Sequence, residues 1–481
     1  MRRPAFSLST ILLVAACSGA GAPPVAFHNA SADQVVRQLP LARAPQVGKI
    51  KHIIVVIQEN RTFNNLFGGP NGFPGALTTS TAVNSHGKTV ALKPRGLAAP
   101  GDLDNYYPAY LEACNAPSST PFVVGEPSPC RMTGFDRPQR WNHQEALAYA
   151  DYGDTGPYWD IAKKYALGDH FFQGHNSESY TAHQFLFASQ SAWVNQAPSE
   201  PFWQTPFDPW GCDTGGNSRT KMIDPKTWNW PSNYNGPRAC FGYPSLADRL
   251  NSKGLTWRLY LYSFWMNING FDAIKSIRDS SEFHEGNTFR TPQGKFLTDL
   301  KNPNYTLASV TWLLPGPLSS DHPGVPFGYY GPSWVADVVN AVGHSRYWKD
   351  TAIFVTWDDW GGFYDPVPPY VVRDAQGPGF RVPLIVVSPY AKRGRVVKSD
   401  AEFGTLVKFI EQTFGLANLG GTDTSPDLGS LNGYFDWNIK RSFVPVLTKT
   451  PPTFFERNGE KPIFERLKAE HELTTSFFDG D

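Results

Sequence analysis

Charge is scarce in this 481-residue chain: 18 % of residues are charged, against about 25 % in an average soluble domain. Lys plus Arg equals Asp plus Glu at 43 each, so the formal net charge is zero. That balance argues against a broad electrostatic grip on nucleic acid or an acidic membrane. No internal repeat occurs, and no second hydrophobic span follows the short apolar stretch near the N-terminus. Cysteine is sparse, at five residues, and no C-x-x-C pair exists, which disfavours a four-cysteine zinc site. The chain is rich instead in Gly (43), Pro (42) and aromatics (14 %). Much of it is therefore expected as ordered loop rather than long helix. The length suffices for one large domain with insertions or for two domains.

The N-terminus reads as an address. Arg2 and Arg3 precede an apolar stretch, Leu8 to Val14, closed by Val14-Ala15-Ala16-Cys17. The stretch is too short to span a bilayer and fits a signal peptide. Its last four residues resemble a bacterial lipobox, so residues 1–17 are expected as a lipoprotein-type signal with Cys17 lipidated. Residues 18–47, small and polar, follow as a tether. A plain signal peptide cleaved near Ala22 is the alternative. The expected location is the periplasm or outer cell envelope. Four further cysteines in an exported chain suggest two disulfides. Of three pairings, Cys114–Cys130 and Cys212–Cys240 each staple a Pro/Gly/Asn-rich loop and are preferred.

Ile50 to Ile57 is a β-branched run too uniformly apolar for a half-exposed strand, which fits a central strand of a parallel sheet. Ala352 to Trp357 and Val382 to Ser388 match it. Helical stretches are expected at Tyr158–Tyr165, Tyr180–Trp193, Trp334–Val342 and Thr405–Phe414. Strands alternating with helices predict an α/β sandwich on a mostly parallel sheet. Segments 84–142 and 195–245 read as loop-rich insertions over one edge.

Glu59-Asn60 closely follows the first strand, and Asp358-Asp359 directly follows the second. Ligand sites of open parallel sheets collect beyond the carboxyl ends of strands. Three carboxylates and an amide oxygen form a hard-ligand set suited to a divalent cation. Either pair alone would more readily be capping or solvated acid; both together favour a metal site. The strings that follow, RTFNNLFGG and WGGFYDPVPP, add specificity, since paired glycines let backbone approach closely.

The sequence resembles the bacterial phosphoesterase family that contains phospholipases C and acid phosphatases. ENRTFNNLFGG is similar to that family's ENRSFDHYFG signature, and TWDDWGGFYDPVPP to its YDExGGFYDHVPPP signature. Phe380 to Tyr390 resembles GxRVPxxVISPW, Leu318 to Pro323 the SDHP turn, and Glu402 to Glu411 the closing helix. The matches run in family order from residue 49 to about 417. The resemblance implies an alkaline-phosphatase-like core and a metal-dependent hydrolase with a Ser or Thr nucleophile at a helix N-terminus. In Gly174 to Phe185 it aligns Ser179 as nucleophile. Thr181 stands where the family carries Pro and is the second choice. The resemblance also points to His322 and His143 as acid or phosphate-binding groups, with Asp321 able to orient His322. His175 and His183 lie near the nucleophile but equally suit helix packing.

Several positions depart from the family pattern: Trp360 and Pro366 replace histidines, Asn64 replaces an Asp, and Lys398 replaces another His. With polar groups lost and Trp360 expected at the site, a diester with organic arms is favoured over a bare monoester. The expected function is a phospholipase C-like phosphodiesterase acting on a phosphate ester or phospholipid. Acid phosphatase is the alternative within the class. No C/S-x-P-x-R string supports a sulfatase. A surface carbohydrate-binding protein would suit the 15 Trp and 20 Tyr but leaves the paired carboxylates unexplained. Residues 48–430 are expected as the catalytic domain and 431–481 as a C-terminal extension.

Overall fold

The computed structural model describes residues 44–456, except 99–100, 120–121, 138–144, 197–210, 215–217, 231–232, 234–235, 263–267, 285, 287 and 325–327. The Cys17 region and His143 lie outside the described residues.

Eight strands form one sheet: β1 His52–Gln58, β2 Ala166–Gly168, β3 Trp257–Tyr260, β4 Phe289–Arg290, β5 Val310–Leu313, β6 Thr351–Trp357, β7 Leu384–Val387 and β8 Arg395–Val397. Their order across the sheet is β4-β3-β5-β1-β6-β7-β2-β8. β1 sits in the middle, pairing in parallel with β5 (Val55 opposite Trp312) and β6 (Val55 opposite Phe354). Every strand runs the same way except β7, which is antiparallel to both β6 and β2. The uniformly apolar runs at 50–57 and 352–357 are thus central parallel strands. The run at 382–388 is also central but reversed. Parallel neighbours need a crossover, usually a helix, and residues 358–383 contain no helix, so the chain doubles back.

Six helices bear on the site: α1 Phe63–Phe67, α2 Tyr107–Cys114, α3 Tyr152–Lys164, α4 Ser179–Ala188, α5 Gly331–Gly343 and α6 Phe403–Phe414. Alternate residues of a strand face opposite sides. On β6, Phe354 meets Phe409 of α6 at 5.2 Å between ring centroids, and Trp357 meets Tyr158 of α3 at 5.0 Å. α3 and α6 therefore cover opposite faces, which makes a three-layer α/β/α sandwich. α5 packs with α3, and α4 with α6.

Helix α3 starts earlier than periodicity suggested and carries Pro157 internally. The ring removes a backbone donor, and Lys449 Nζ supplies one to the Gly153 carbonyl. Helix α4 stops at Ala188, short of the expected Trp193, because Ser189 takes a left-handed conformation at φ 61°.

The two expected disulfides, Cys114–Cys130 and Cys212–Cys240, are both present. The first lies in a satellite core of Tyr107, Tyr110, Phe135, Trp360 and Phe380, built largely from the first insertion. Residues beyond 430 contribute Leu431, Tyr434, Phe435 and Phe455 to the main core.

Candidate active site

The β1 and β6 strand ends lie side by side because the strands pair along their full length, ending with Gln58 opposite Trp357. Asp358 N–H continues the ladder to the Gln58 carbonyl at 2.9 Å. The chain then turns sharply after each strand. Asn60 adopts φ 56°, a left-handed conformation that Asn tolerates better than most residues. Gly361 sits at φ 58°, and a Cβ there would fall 2.0 Å from the Asn60 carbonyl; only glycine permits this approach. Asp358 Oδ1 secures both turns, accepting the N–H of Asn60 at 2.9 Å and of Asp359 at 2.7 Å.

The N-terminus of α4 meets these strand ends. Ser179 is the first helical residue, and the Glu178 side chain makes no capping hydrogen bond. The Ser179 hydroxyl lies 3.0 Å from Asp359 Oδ2, 3.1 Å from Asn60 Oδ1 and 3.4 Å from Glu59 Oε2. One turn on, His183 Nε2 lies 3.8 Å from Glu59 Oε1 and 3.7 Å from Asp358 Oδ2. These are ion-pair distances, too long for hydrogen bonds. Thr181, the second-choice nucleophile, is buried, and its hydroxyl has no hydrogen-bond partner.

Burial works against charge throughout this cluster. It raises the Glu59 carboxyl to about 7, with Asp358 adding repulsion. The same two causes push Asp359 well above the carboxylate range. Burial would also raise Asp358, but His183 outweighs it and holds that carboxyl low. His183 is raised to about 9, because Asp358 and Glu59 overcome the desolvation that would lower it. Two buried acids, Glu59 and Asp358, thus face one imidazole, with a third, Asp359, beside them. Glu59 Oε1 and Asp358 Oδ2 have no hydrogen-bond partner. One ligand atom each from Glu59, His183 and Asp358 can be chosen with all three within 4.8 Å of one another. The Asn60 amide oxygen, as placed, also faces acceptors. A hard divalent cation fits this donor set and satisfies the orphaned oxygens.

His322 borders the cluster, with Nε2 3.2 Å from the Asn60 side-chain amide and its side chain 31 % exposed. Its Nδ1 lies 2.7 Å from the Pro323 carbonyl. Asp321 does not orient it: Asp321 Oδ2 turns inward and accepts from Tyr158 Oη at 2.8 Å and Trp357 Nε1 at 2.9 Å. His175 packs between Phe185 and Phe403 and is lowered by burial to about 3. Two participants escaped the sequence reading. His183 has the look of a packed helix residue, and only its four-residue spacing from Ser179 signals a shared face. Asn105, which donates to Asp359 Oδ1 at 3.0 Å, comes from a distant loop.

Trp360 does not line the site. It is fully buried, donates Nε1 to the Asn105 carbonyl at 2.9 Å, and packs edge-on against Phe380 and Phe135. Trp360, and Phe363 and Tyr364 beyond the glycine turn, form satellite core rather than substrate wall.

Two buried arginines tie the signature segments to one another in the fold. Arg61 donates to the Asp321 and Leu97 carbonyls at 2.8 Å each, tying the first signature to the SDHP turn. Arg381 spends all five N–H donors on Asp365, Asp169 and the Asp169 and Leu77 carbonyls. Asp365 Oδ2 also accepts the Asn64 N–H at 2.9 Å, which ties the other two signatures to the first.

Residues 50–417 match the Phosphoesterase family, and the chain belongs to it. It is a hydrolase acting on phosphoester bonds. Among its relatives, Phospholipase C A of Mycobacterium tuberculosis is 25 % identical over 418 residues, spanning 76 % of this chain and 73 % of the relative. Non-specific phospholipase C1 of Arabidopsis thaliana is 25 % identical over 432 residues, spanning 81 % and 71 %. A solved structure of a protein in the alkaline phosphatase superfamily from Vibrio parahaemolyticus aligns with a TM-score of 0.35 at 10 % identity, covering 80 % of this chain and 72 % of that one.

Proposed function

We propose that this chain is a metal-dependent phosphodiesterase of phospholipase C type with Ser179 as its nucleophile. One observation carries the reading: the Ser179 hydroxyl, at the open N-terminus of α4, touches Asp359, Asn60 and Glu59 together. Glu59, Asn60, Asp358 and Asp359 would hold a divalent cation, with His183 beside them. Such an ion, when bound, lowers the pKa of a hydroxyl and offsets phosphate charge. The Ser179 hydroxyl is oriented by its hydrogen bond to Asp359 Oδ2. As its proton passes to a solvent water, its oxygen bonds to phosphorus and the bond to the departing alcohol oxygen breaks. Backbone N–H groups in the first turn of α4 face the phosphate oxygens. His322, half-buried at the rim, gives a proton to the departing oxygen. In the second half, water gives one proton to His322 and attacks the phosphoserine, which releases a phosphomonoester, while the departing Ser179 oxygen regains its proton from solvent.

A diester substrate follows from where the cations are. Among the described residues no Lys or Arg hydrogen-bonds to the Ser179 cluster, and Arg61 and Arg381 are committed to the scaffold. A dianionic monoester asks for more positive charge than a monoanionic diester. The relatives named phospholipases C agree with this preference. The experiment compares phosphocholine release from lecithin and bis-p-nitrophenyl phosphate turnover with hydrolysis of p-nitrophenyl phosphate. Higher kcat/KM on the diesters is expected. Faster monoester hydrolysis across the pH range would instead place the chain among acid phosphatases. Export and lipid anchoring through Cys17 form part of the same proposal, resting on the lipobox-like segment Val14 to Cys17.

A further inference from the structure

The even balance of charge over the whole chain hides a local excess. Strand β7 ends where β6 begins, and Ser388 Oγ donates to the Thr351 carbonyl at 2.9 Å there. This is the sheet end opposite Asp358 and the Ser179 cluster. Around it lie Arg393, Arg395 and Lys440, all exposed, with Lys164, Lys392 and Arg441 half-buried beside them. We propose that this basic face docks on an anionic lipid surface, with Ile439 as its apolar contact.

Three segments interlock to build the face. Arg393 donates to the Ser442 carbonyl at 3.0 Å, and Arg441 to the Ala391 carbonyl at 3.2 Å. Lys164, at the end of α3, donates to the Pro445 carbonyl at 2.8 Å. Arg395 opens β8 opposite Ala166 of β2, which keeps it at the same end of the sheet. The bordering carboxylates are already met: Asp160 by Lys164 at 2.7 Å, Asp436 by Arg441 at 3.5 Å and Asp350 by Lys51 at 3.7 Å. Arg393, Arg395 and Lys440 form no ion pair among the described residues, so their charge is left for a partner. Ile439 stands at a turn closed by its N–H on the Asp436 carbonyl at 3.3 Å, and it is 49 % exposed. Among the described large apolar side chains only Val124 and Tyr152 are more exposed. A nucleic acid would use the cations alone. Cations beside an exposed aliphatic match a membrane interface, where charge and apolar contact add. Residues 44–49 reach the same end, since Lys49 Nζ donates to the Trp437 carbonyl. The chain leading to Cys17 therefore joins the fold at this face, which agrees with the proposed anchor without depending on it. Docking here leaves the Ser179 cluster uncovered at the far strand ends.

The test uses the mature chain, made without residues 1–17 and carrying Ser179→Ala, so that neither an acyl group nor lipid turnover contributes. It is co-sedimented with vesicles of phosphatidylglycerol and phosphatidylcholine in equal parts, and with vesicles of phosphatidylcholine alone. Binding to the anionic vesicles is expected, with little on the neutral ones, and it should fall as salt is raised. Each exposed cation is worth about fivefold in partitioning. The triple variant Arg393→Gln, Arg395→Gln, Lys440→Gln should therefore bind at least tenfold more weakly, and Ile439→Ser about threefold. With Ser179 intact, the triple variant should keep its thermal midpoint and its turnover of bis-p-nitrophenyl phosphate, which separates a lost patch from a lost fold. Equal binding to neutral vesicles, or undiminished binding by the triple variant, would overturn the proposal. So would binding of a short DNA duplex as tight as that of the vesicles and indifferent to Ile439→Ser, which would mark a general polyanion surface. Because the readout is binding without turnover, its outcome is independent of the choice of Ser179 as nucleophile.

Discussion

Arg381 lies within a signature segment of an enzyme family, yet the geometry makes it scaffold, and Arg381→Met tests that. The guanidinium is fully buried and meets acceptors at 2.9–3.1 Å from two carboxylates and two carbonyls. It also lies over the Phe63 ring at 4.4 Å. Met fills comparable volume but leaves Asp169 and Asp365 as buried carboxylates without a counter-charge. Breaking a buried ion pair by removing one partner costs about 3–5 kcal/mol. Backbone N–H groups of Leu77, Asn64 and Val367 still hold these two acids, so the expected loss is about 4 kcal/mol rather than more. Equilibrium urea unfolding of the oxidised protein measures it, as a lower midpoint at unchanged slope. At low temperature the folded Arg381→Met fraction should still form phosphoenzyme and bind metal. A loss below about 1 kcal/mol accompanied by abolished turnover would refute the scaffold assignment and move Arg381 into the chemistry.

Four further outcomes are expected. Ser179→Ala should eliminate phosphoenzyme trapping while Thr181→Ala only weakens it; the reverse would move the nucleophile to Thr181. Asp358→Asn and Glu59→Gln should each lose turnover and stoichiometric metal, read by elemental analysis, with the fold intact by circular dichroism. Burial, reinforced by Asp423, raises the Glu411 carboxyl to about 9. Its unfolded form ionises at lower pH, so stability should fall as pH rises from about 4.5 towards 9. Glu411→Gln should flatten that slope in thermal midpoints, and an unchanged slope would count against the assignment. Cys17→Ser should block lipid processing and release the protein from the detergent phase; identical partitioning of both forms would favour plain secretion.

The sequence was most legible where one physical cause dominates. β1 and β6 must be buried on both faces, so their apolar runs announce central strands, and the acids at their ends announce a site. The third run looked the same, because hydrophobicity reports burial and not direction; the helix-free connection before it decided the reversal. Ser179 could be placed only by resemblance, since a Ser before an apolar helix is equally a cap. His183 was harder, for its partners Glu59 and Asp358 lie far away in sequence. Trp360 misled for a related reason: two residues from Asp358, it still points elsewhere, into the satellite core against Phe135 and Phe380.

The reversal of β7 also shapes how this enzyme can change. The excursion from Asp358 to Pro383 leaves and re-enters the sheet at neighbouring strands. Asp365 and Arg381 close its neck with two hydrogen bonds. At its root are Asp358 and Asp359; near its tip are Val371, Asp374 and Pro378, which line a surface cleft with Tyr107 and Trp228. The closed neck insulates one from the other. The tip can therefore change in sequence or length while the carboxylates at the root keep their positions.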